Sequence, residues 1–196
     1  MKLVLFVLII FPVALYSQSF KGGIQGGLTM SQVDGDRYAG FNKTGLWGEL
    51  FVEYPFSERA SLHIGISAVQ KGSYQRFDPQ EYYRMSLSYA EIPVLYQYRF
   101  LRTKAILAGG LGFGILVHSK EETELGVLPS IDSPKFNFFE VSAQLGVKYF
   151  IWSRTGATVR YSYSLSPIRQ QSVPSPYSRV NGQYNNLLQL ALFHMF

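Results

Sequence analysis

The segment from residue 185 to residue 196 alternates between apolar and polar or small side chains. Leu188, Leu190, Leu192 and Phe196 fall on one face of an extended strand and Gln189 on the other, because side chains alternate with a period of two. An unpaired edge this apolar would promote aggregation in water, whereas a closed barrel in a bilayer has no edge and exposes its apolar face to lipid. The segment therefore predicts the final strand of a membrane barrel, with a buried last strand of a soluble sandwich as the alternative. In a barrel, the four apolar residues would form the terminal assembly signal.

The same alternation recurs along the chain and predicts eight strands. They cover residues 19–31, 44–54, 60–74, 85–100, 105–118, 136–151, 157–165 and 185–196. Long polar loops follow the odd-numbered strands and short turns follow the second, fourth and sixth, which is the asymmetry of bacterial outer-membrane barrels. We therefore predict an all-β fold, an eight-stranded antiparallel transmembrane β-barrel with both termini periplasmic.

Two features inside the predicted strands affect strand pairing. Pro93 removes one ladder hydrogen bond, so we expect a bulge or weakened pairing there. The glycine-rich run at residues 109–114 resembles a nucleotide-binding loop, but no helix pattern or suitably spaced acidic residue follows it. We therefore interpret these glycines as strand residues that allow close backbone approach.

Charged residues of the predicted strands fall on the face opposite the apolar one. They are Glu49, Glu53, Lys71, Glu91, Arg99, Glu140, Lys148 and Arg160. Eight strands leave an interior that side chains fill, so these groups would share one enclosed space. An uncompensated buried charge is strongly destabilising, and the residues are therefore predicted to pair as an interior polar network.

The N-terminus has the pattern of a secretory signal peptide. Lys2 precedes an apolar run over residues 3–15, and Tyr16-Ser17 begins a polar, small-residue segment. The run is too short to span a bilayer as a helix. We expect cleavage after Ser17, so residues 1–17 are the signal peptide and residues 18–196 are the barrel domain; the alternative is an uncleaved anchor. No exported segment is apolar over the length of a transmembrane helix, so membrane insertion would require strands.

Composition narrows the possible functions. The 14 Tyr and 15 Phe fit the aromatic girdles of a membrane barrel. The absence of cysteine excludes thiol chemistry. The net charge of +5 is scattered rather than clustered, which gives no support to nucleic-acid binding. The histidines lie far apart, and Asp34-Gly35-Asp36 lacks the remaining ligands of a calcium loop, so we predict neither a metal site nor a cofactor.

A lipid-modifying enzyme, of the acyl-hydrolase or acyltransferase type, is the alternative function. Such chemistry needs a nucleophile, a base and an orienting group within hydrogen-bond reach. His63 is the candidate base, with Ser61 or Ser67 as nucleophile. A second set combines His118 and Ser119 with Glu121 or Glu122. Because the histidines are isolated and serines are abundant, chance is the simpler explanation of these His–Ser combinations. A diffusion pore is a further alternative, and the small number of strands argues against it.

Four segments of the predicted strands contain more specific sequence than the general alternation: residues 67–73, 89–95, 159–165 and 185–190. They resemble the PorT-like outer-membrane β-barrel family of Bacteroidetes. The most specific pieces are Glu91-Ile92-Pro93 and Asn185-Asn186 followed by Gln189-Leu190, while His194 departs from the glycine or aromatic residue expected near the end. The resemblance implies an eight-stranded barrel in the outer membrane and no particular chemistry.

These observations together predict an integral outer-membrane barrel protein without evident catalysis. Its polar interior would be filled by side chains, and its outer loops would be available for interaction. The expected partners are outer-membrane lipid and, as further candidates, other envelope proteins.

Overall fold

The computed structural model describes residues 20–36, 38–78, 81–128, 135–170 and 182–196, and the predicted signal peptide lies outside these ranges. The strands are β1 (Lys21–Asp34), β2 (Lys43–Pro55), β3 (Ala60–Arg76), β4 (Tyr82–Arg99), β5 (Ala105–Thr123), β6 (Gly126–Val127), β7 (Phe139–Phe150), β8 (Thr155–Ser164) and β9 (Tyr184–Met195). Within the described ranges, no helix has the length and apolar character needed to cross a membrane.

The eight long strands close into one antiparallel ring. Neighbours along the chain pair in sequence, β1 pairs with β9, and β4 pairs with β5 to complete the circle. The two-residue β6 attaches only to the far end of β5. The predicted eight-stranded antiparallel barrel is therefore confirmed.

The two faces of the wall have opposite chemistry. On the outside, Leu50 is 65% exposed and Ile66 is 70% exposed. Glu49, which directly precedes Leu50 in β2, faces the inside and is 4% exposed. A soluble barrel would bury its apolar face, whereas here the apolar side chains radiate outward, as lipid requires. The period-two alternation predicted from the sequence thus gives the correct face along the strands.

The two ends of the barrel differ. The short-turn end carries the connections at residues 56–59, 100–104 and 151–154, together with the first residues of β1 and the last residues of β9. The long-loop end carries the remaining connections. At this end β3, β4 and β5 extend further than predicted, because Arg76 pairs with Tyr82 and Tyr83 pairs with Thr123. Parts of the predicted polar loops at 75–84 and 119–135 are therefore strand.

Pro93 weakens one ladder without shifting its register. Pairing between β3 and β4 stops after Ile64 with Val94 and resumes at Ser67 with Glu91 in the same register. The expected weakened pairing is thus present on the β3 side, while the irregularity of the β4–β5 ladder lies between Ser88 and Tyr89. The glycine-rich run lies in β5, as interpreted from the sequence.

Candidate functional site

Seven of the eight charged residues predicted to face inward form ion pairs inside the barrel. We call the connected set the interior chain: Lys148, Glu53, His63, Glu49, Arg160, Gln144, Glu91, Lys71 and Glu140. All nine side chains are buried. The chain of contacts runs between the two ends of the barrel and joins five of the eight long strands.

The interior chain begins near the short-turn end with Lys148, Glu53 and His63. Lys148 Nζ lies 2.7 Å from Glu53 Oε1 and 3.3 Å from His63 Nδ1. His63 Nε2 lies 2.5 Å from Glu49 Oε1. A ring with its proton on Nε2 satisfies both contacts, since Nε2–H donates to Glu49 and Nδ1 accepts from Lys148. His63 therefore connects the ion pair of Lys148 and Glu53 to the remainder of the interior chain.

Arg160 and Gln144 carry the contacts through the middle of the barrel. Arg160 donates to Glu49 Oε2 over 2.9 Å and to Gln144 Oε1 over 3.4 Å. The amide of Gln144 then donates to Glu91 Oε2 over 3.4 Å. A glutamine can make both contacts because its side chain ends in one acceptor and one donor group.

Lys71 and Glu140 complete the interior chain toward the long-loop end. Lys71 Nζ lies 2.7 Å from Glu91 Oε1 and 2.9 Å from Glu140 Oε1. Glu140 also accepts from Ser164 Oγ over 2.6 Å and from Asn185 Nδ2 over 2.8 Å. One ammonium group thus serves two carboxylates, and neighbouring polar groups occupy the remaining oxygen positions.

Each basic residue of the interior chain also lies over an aromatic ring. Lys148 Nζ is 4.1 Å from the ring centre of Phe51, and Arg160 Cζ is 4.6 Å from that of Trp47. Lys71 Nζ is 4.8 Å from the ring centre of Tyr89. Ring faces attract cations most strongly where water is excluded, so the rings add to the stabilisation by the carboxylates. The sequence analysis did not predict this pairing.

Inward-facing glycines make room for the interior chain. A Cβ atom at Gly65 would overlap the carboxylate of Glu49, and one at Gly112 would overlap the amide of Gln144. These strand glycines therefore have a packing reason.

Arg99 is the exception among the predicted network residues. It is half-buried at the short-turn end, with its guanidinium carbon 5.5 Å from the ring centre of Phe150. The residue has the inward parity of its strand but stands at the last position of β4, below the interior chain. Strand periodicity determines the face of a residue but not its height along the barrel axis, which explains the difference.

The residues of the predicted assembly signal lie together on the outer face of β9. Leu190 is 43% exposed, Leu192 is 64% exposed and Phe196, just past the strand, is 70% exposed, while Leu188 is half-buried. The inward neighbours Gln189 and Ala191 are buried, as the alternation predicts.

The geometry around the candidate base differs from that of a catalytic triad. The hydroxyl of Ser61 donates to Gln97, and that of Ser67 donates to the backbone oxygen of Glu91, whereas His63 contacts Glu49 and Lys148. His63 is fully buried. Among the described residues, no group of three or more potential ligands has the arrangement of a metal site.

Side chains close the short-turn end of the interior. Phe51, Phe193 and Met195 form a buried cluster against which Phe150 packs. The rings of Phe150 and Phe193 meet edge to face, with centres 5.0 Å apart. This apolar plug covers Lys148, whose ammonium nitrogen lies over the rings of Phe51 and Phe193.

A polar lid closes the long-loop end. Arg169 donates to both oxygens of Glu121, over 2.8 and 2.9 Å, and its Nε donates to Gln183 over 2.6 Å. Tyr83 donates to the same carboxylate. Ile168 beside Arg169 is fully buried, so this segment folds into the barrel mouth.

In the loop after β1, burial raises the pKa of Asp36, although the backbone N–H of Tyr38 opposes the shift by donating to its carboxylate over 2.8 Å.

Replacing Glu121 by glutamine should loosen this lid. The variant loses the carboxylate charge that pairs with Arg169, and hydrogen bonds to charged groups are among the stronger ones. We expect trypsin to cleave after Arg169 about tenfold faster in the folded, detergent-solubilised barrel. Mass spectrometry of timed digests measures the rate.

The matched control for the lid is Glu122→Gln, one residue along β5. Glu122 pairs with the exposed Lys120, and an exposed pair contributes little. Its digestion rate should equal that of the unchanged protein. Equal rates for Glu121→Gln and Glu122→Gln would contradict a closing role for the lid.

Comparisons with known proteins agree with this architecture. Residues 16–170 match the family described as outer membrane protein beta-barrel domain. The crystal structure of Ail, the attachment invasion locus protein of Yersinia pestis, is similar with a TM-score of 0.52 and 14% identity, covering 90% of this chain and 98% of Ail. Neisserial surface protein A has a TM-score of 0.52 and 11% identity, covering 89% of this chain and 97% of its own.

A further structure shows Ail in complex with the heparin analogue sucrose octasulfate. It is 17% identical with a TM-score of 0.53, covering 90% of this chain and 99% of that one. At these identities the similarity shows a shared fold. No curated protein matches the chain.

Proposed function

We propose that this chain, which belongs to the outer membrane protein beta-barrel domain family and lies in the outer membrane, is a non-enzymatic interaction protein. The observation that supports this is the filled interior: ion pairs occupy the middle of the barrel, and the apolar plug and the polar lid occupy its two ends. As far as the described residues extend, such an interior offers no open path to a solute, so the barrel is an anchor and the long-loop end is the interaction surface.

Exposed apolar side chains at the long-loop end support a role in binding other envelope proteins. Leu125 is 92% exposed and Val127 is 60% exposed in the hairpin of β5 and β6. Phe138, 68% exposed, precedes β7 at the same end. Apolar groups concentrated beyond the lipid-facing wall are typical of contact sites.

The outer charges give no separate support for a sulfated polyanion as ligand. Basic and acidic side chains are mixed on the extended strands: Arg84 lies opposite Glu122 across β4 and β5, and Lys120 forms an ion pair with Glu122. The described part of this surface lacks the single-sign field that attracts a polyanion. We therefore propose a protein partner rather than a sulfated ligand.

Changing the exposed hairpin tests the proposed function. The Leu125→Ser/Val127→Ser variant should lose envelope proteins that co-purify with the tagged barrel from native outer membranes, because apolar contact area is removed. Quantitative mass spectrometry compares the two preparations. The matched control is Leu50→Ser/Val52→Ser on the lipid-facing wall, read out only in the fraction that inserts into the membrane.

Two results would contradict the proposal. One is an identical set of co-purified proteins with and without the exposed hairpin side chains. The other is activity of the purified barrel itself, either release of fatty acid from phospholipid or lipid A that the His63→Gln variant lacks, or steady ion conductance in a planar bilayer. Fatty-acid release would instead favour the alternative of a lipid-modifying enzyme with His63 as base.

The finer assignments extend the proposal. We propose that residues 1–17 are a cleaved signal peptide before the barrel domain, and that Leu188, Leu190, Leu192 and Phe196 act as the assembly signal. On the sequence resemblance alone, we propose that the chain is a PorT-like barrel of Bacteroidetes. Glu91 contacts Lys71, and Asn185 contacts Glu140, so both motifs contribute to the interior chain or its partners.

A further inference from the structure

Basic side chains encircle the short-turn end. They are Lys21, Arg59, Arg99, Arg102, Lys104 and Arg154, and we call them the basic rim. Every short turn or its flanking strand end contributes at least one. Among the described residues of these turns, Glu58 is the only carboxylate side chain. Glu53, near the end of β2, is buried and paired with Lys148.

No residue of the basic rim pairs with a carboxylate within the described part of the chain. This contrasts with the interior chain, where every basic side chain has an acidic partner. The six cations outnumber the carboxylate side chains at this end, which are Glu58 and the paired Glu53, and they create a positive field. This positive field would attract an anion from outside the chain to the basic rim.

Backbone hydrogen bonds hold the rim in a defined arrangement. The carbonyl oxygen of Arg59 accepts from Arg99 N over 2.7 Å, and that of Lys104 accepts from Phe150 N over 2.9 Å. The carbonyl oxygen of Arg154 accepts from Met195 N over 2.8 Å. Each turn is thus tied to the adjacent strand, and the basic side chains start from fixed positions.

Two adjoining clefts open within the basic rim. The larger, of about 760 Å³, is lined by Lys21, Arg99, Lys104 and Arg154 together with the apolar Trp152. The smaller, of about 350 Å³, is lined by Lys21, Arg59 and Arg99 and also by the carboxylates Glu53 and Glu58, so the larger cleft is the one that suits an anion. Lys21 and Arg99 form walls of both clefts, so a single anionic group can approach cations from two sides.

Exposed apolar side chains lie in the same turns as the basic rim. Trp152 is 67% exposed, Leu101 is 53% exposed and Phe56 is 56% exposed. Aromatic and basic residues side by side mark the boundary between the hydrocarbon core and water. The rim therefore lies at the height of the lipid phosphates of the periplasmic leaflet, because the short-turn end of an outer-membrane barrel is periplasmic.

We propose that the basic rim binds the headgroup of an anionic glycerophospholipid in the periplasmic leaflet. The phosphate would lie between Arg99 and its neighbours in the larger cleft, and an acyl chain would lie along Trp152. Guanidinium groups bind phosphate through paired N–H donors, and basic pockets at membrane surfaces recognise anionic headgroups. The combination of cations with an apolar wall favours an amphipathic lipid over an acidic protein segment. This site is separate from the long-loop end and from whatever protein binds there.

Trp152 provides a local reporter for the test. Trp47, the other tryptophan, is 3% exposed inside the barrel, so lipid quenchers reach Trp152 selectively. The full barrel is reconstituted into phosphatidylcholine vesicles that contain a small, equal mole fraction of brominated phosphatidylglycerol or brominated phosphatidylcholine. We expect stronger quenching by the anionic lipid, with an enrichment of about fivefold for each engaged basic side chain. The difference should shrink when salt rises from about 0.1 M to about 1 M.

Charge-matched variants separate a site from a general charge effect. In the Arg99→Gln/Lys104→Gln/Arg154→Gln variant, the two brominated lipids should quench the fluorescence of Trp152 equally. The control Lys43→Gln/Arg84→Gln/Lys120→Gln removes the same charge at the long-loop end and should keep the full preference. Equal quenching in the unchanged protein, or equal losses in both triple variants, would overturn the proposal. Rim-dependent binding of soluble polyglutamate without any lipid preference would also overturn it and assign the rim to an acidic protein segment.

Discussion

Replacing Lys71 by methionine should lower the free energy of unfolding by about 3–5 kcal/mol. Lys71 lies between Glu91 and Glu140, with its ammonium nitrogen 2.7 and 2.9 Å from their oxygens. All three side chains are at most 2% exposed, so water cannot replace the lost cation. Methionine fills a similar volume, and the loss therefore measures two carboxylates left uncompensated. Urea titration of the barrel in phosphatidylcholine vesicles gives the free energy, with gel mobility of unheated samples as the readout.

A second background tests the same cause. In Glu91→Gln/Glu140→Gln the two carboxylates are neutral, and Lys71→Met should then cost much less than in the unchanged chain. The surface control is Lys120→Met, whose own side chain is exposed, and it should change stability by less than about 1 kcal/mol. A Lys71→Met cost as small as that of Lys120→Met would show that the interior ion pairs contribute little to stability.

The alternation of the strands made the inward-facing residues predictable. Glu49, Glu53 and Glu91 each lie between outward apolar neighbours, and a strand places such residues on the opposite face wherever it is in space. The barrel fold followed from the same pattern with the loop lengths. Local sequence is sufficient for these features because they depend on one strand at a time.

The pairing inside the barrel was not predictable in the same way. Lys148 meets Glu53 and Arg160 meets Glu49 across the lumen, between strands far apart in sequence. Such pairs depend on strand stagger around the whole ring, which no single strand specifies. His63, the candidate catalytic base, is part of the interior chain, because its neighbours on other strands determine its contacts.

The extended strands at the long-loop end were hidden by their composition. Residues 75–84 and 119–135 were predicted as loops, since polar and charged residues dominate both. Strands that rise above the membrane have water on their outer face and need no apolar alternation. Tyr82 and Tyr83 were the available signal, because aromatic residues favour strands and pair across them.

Replacing Arg160 by methionine should also lower the free energy of unfolding by about 3–5 kcal/mol. Arg160 donates to Glu49 over 2.9 Å and lies over the ring of Trp47, so the variant loses a buried ion pair and a cation–aromatic contact together. The Glu49 carboxylate then keeps only His63 as a partner. The same urea titration measures the loss.

Arg160→Lys separates charge from shape. Lysine keeps the charge but not the planar group that contacts Glu49, Gln144 and the Trp47 ring at once. We therefore expect Arg160→Lys to lower the free energy of unfolding, but by less than Arg160→Met does. The matched comparison is Arg99→Met, at the position that strand parity placed in the same interior. Because Arg99 is half-buried at the short-turn end with no ion pair among the described residues, its loss should stay below about 1 kcal/mol. Equal losses at the two arginines would contradict this arrangement, since they would show that facing inward, rather than contact with Glu49, determines the contribution of a basic residue to the barrel.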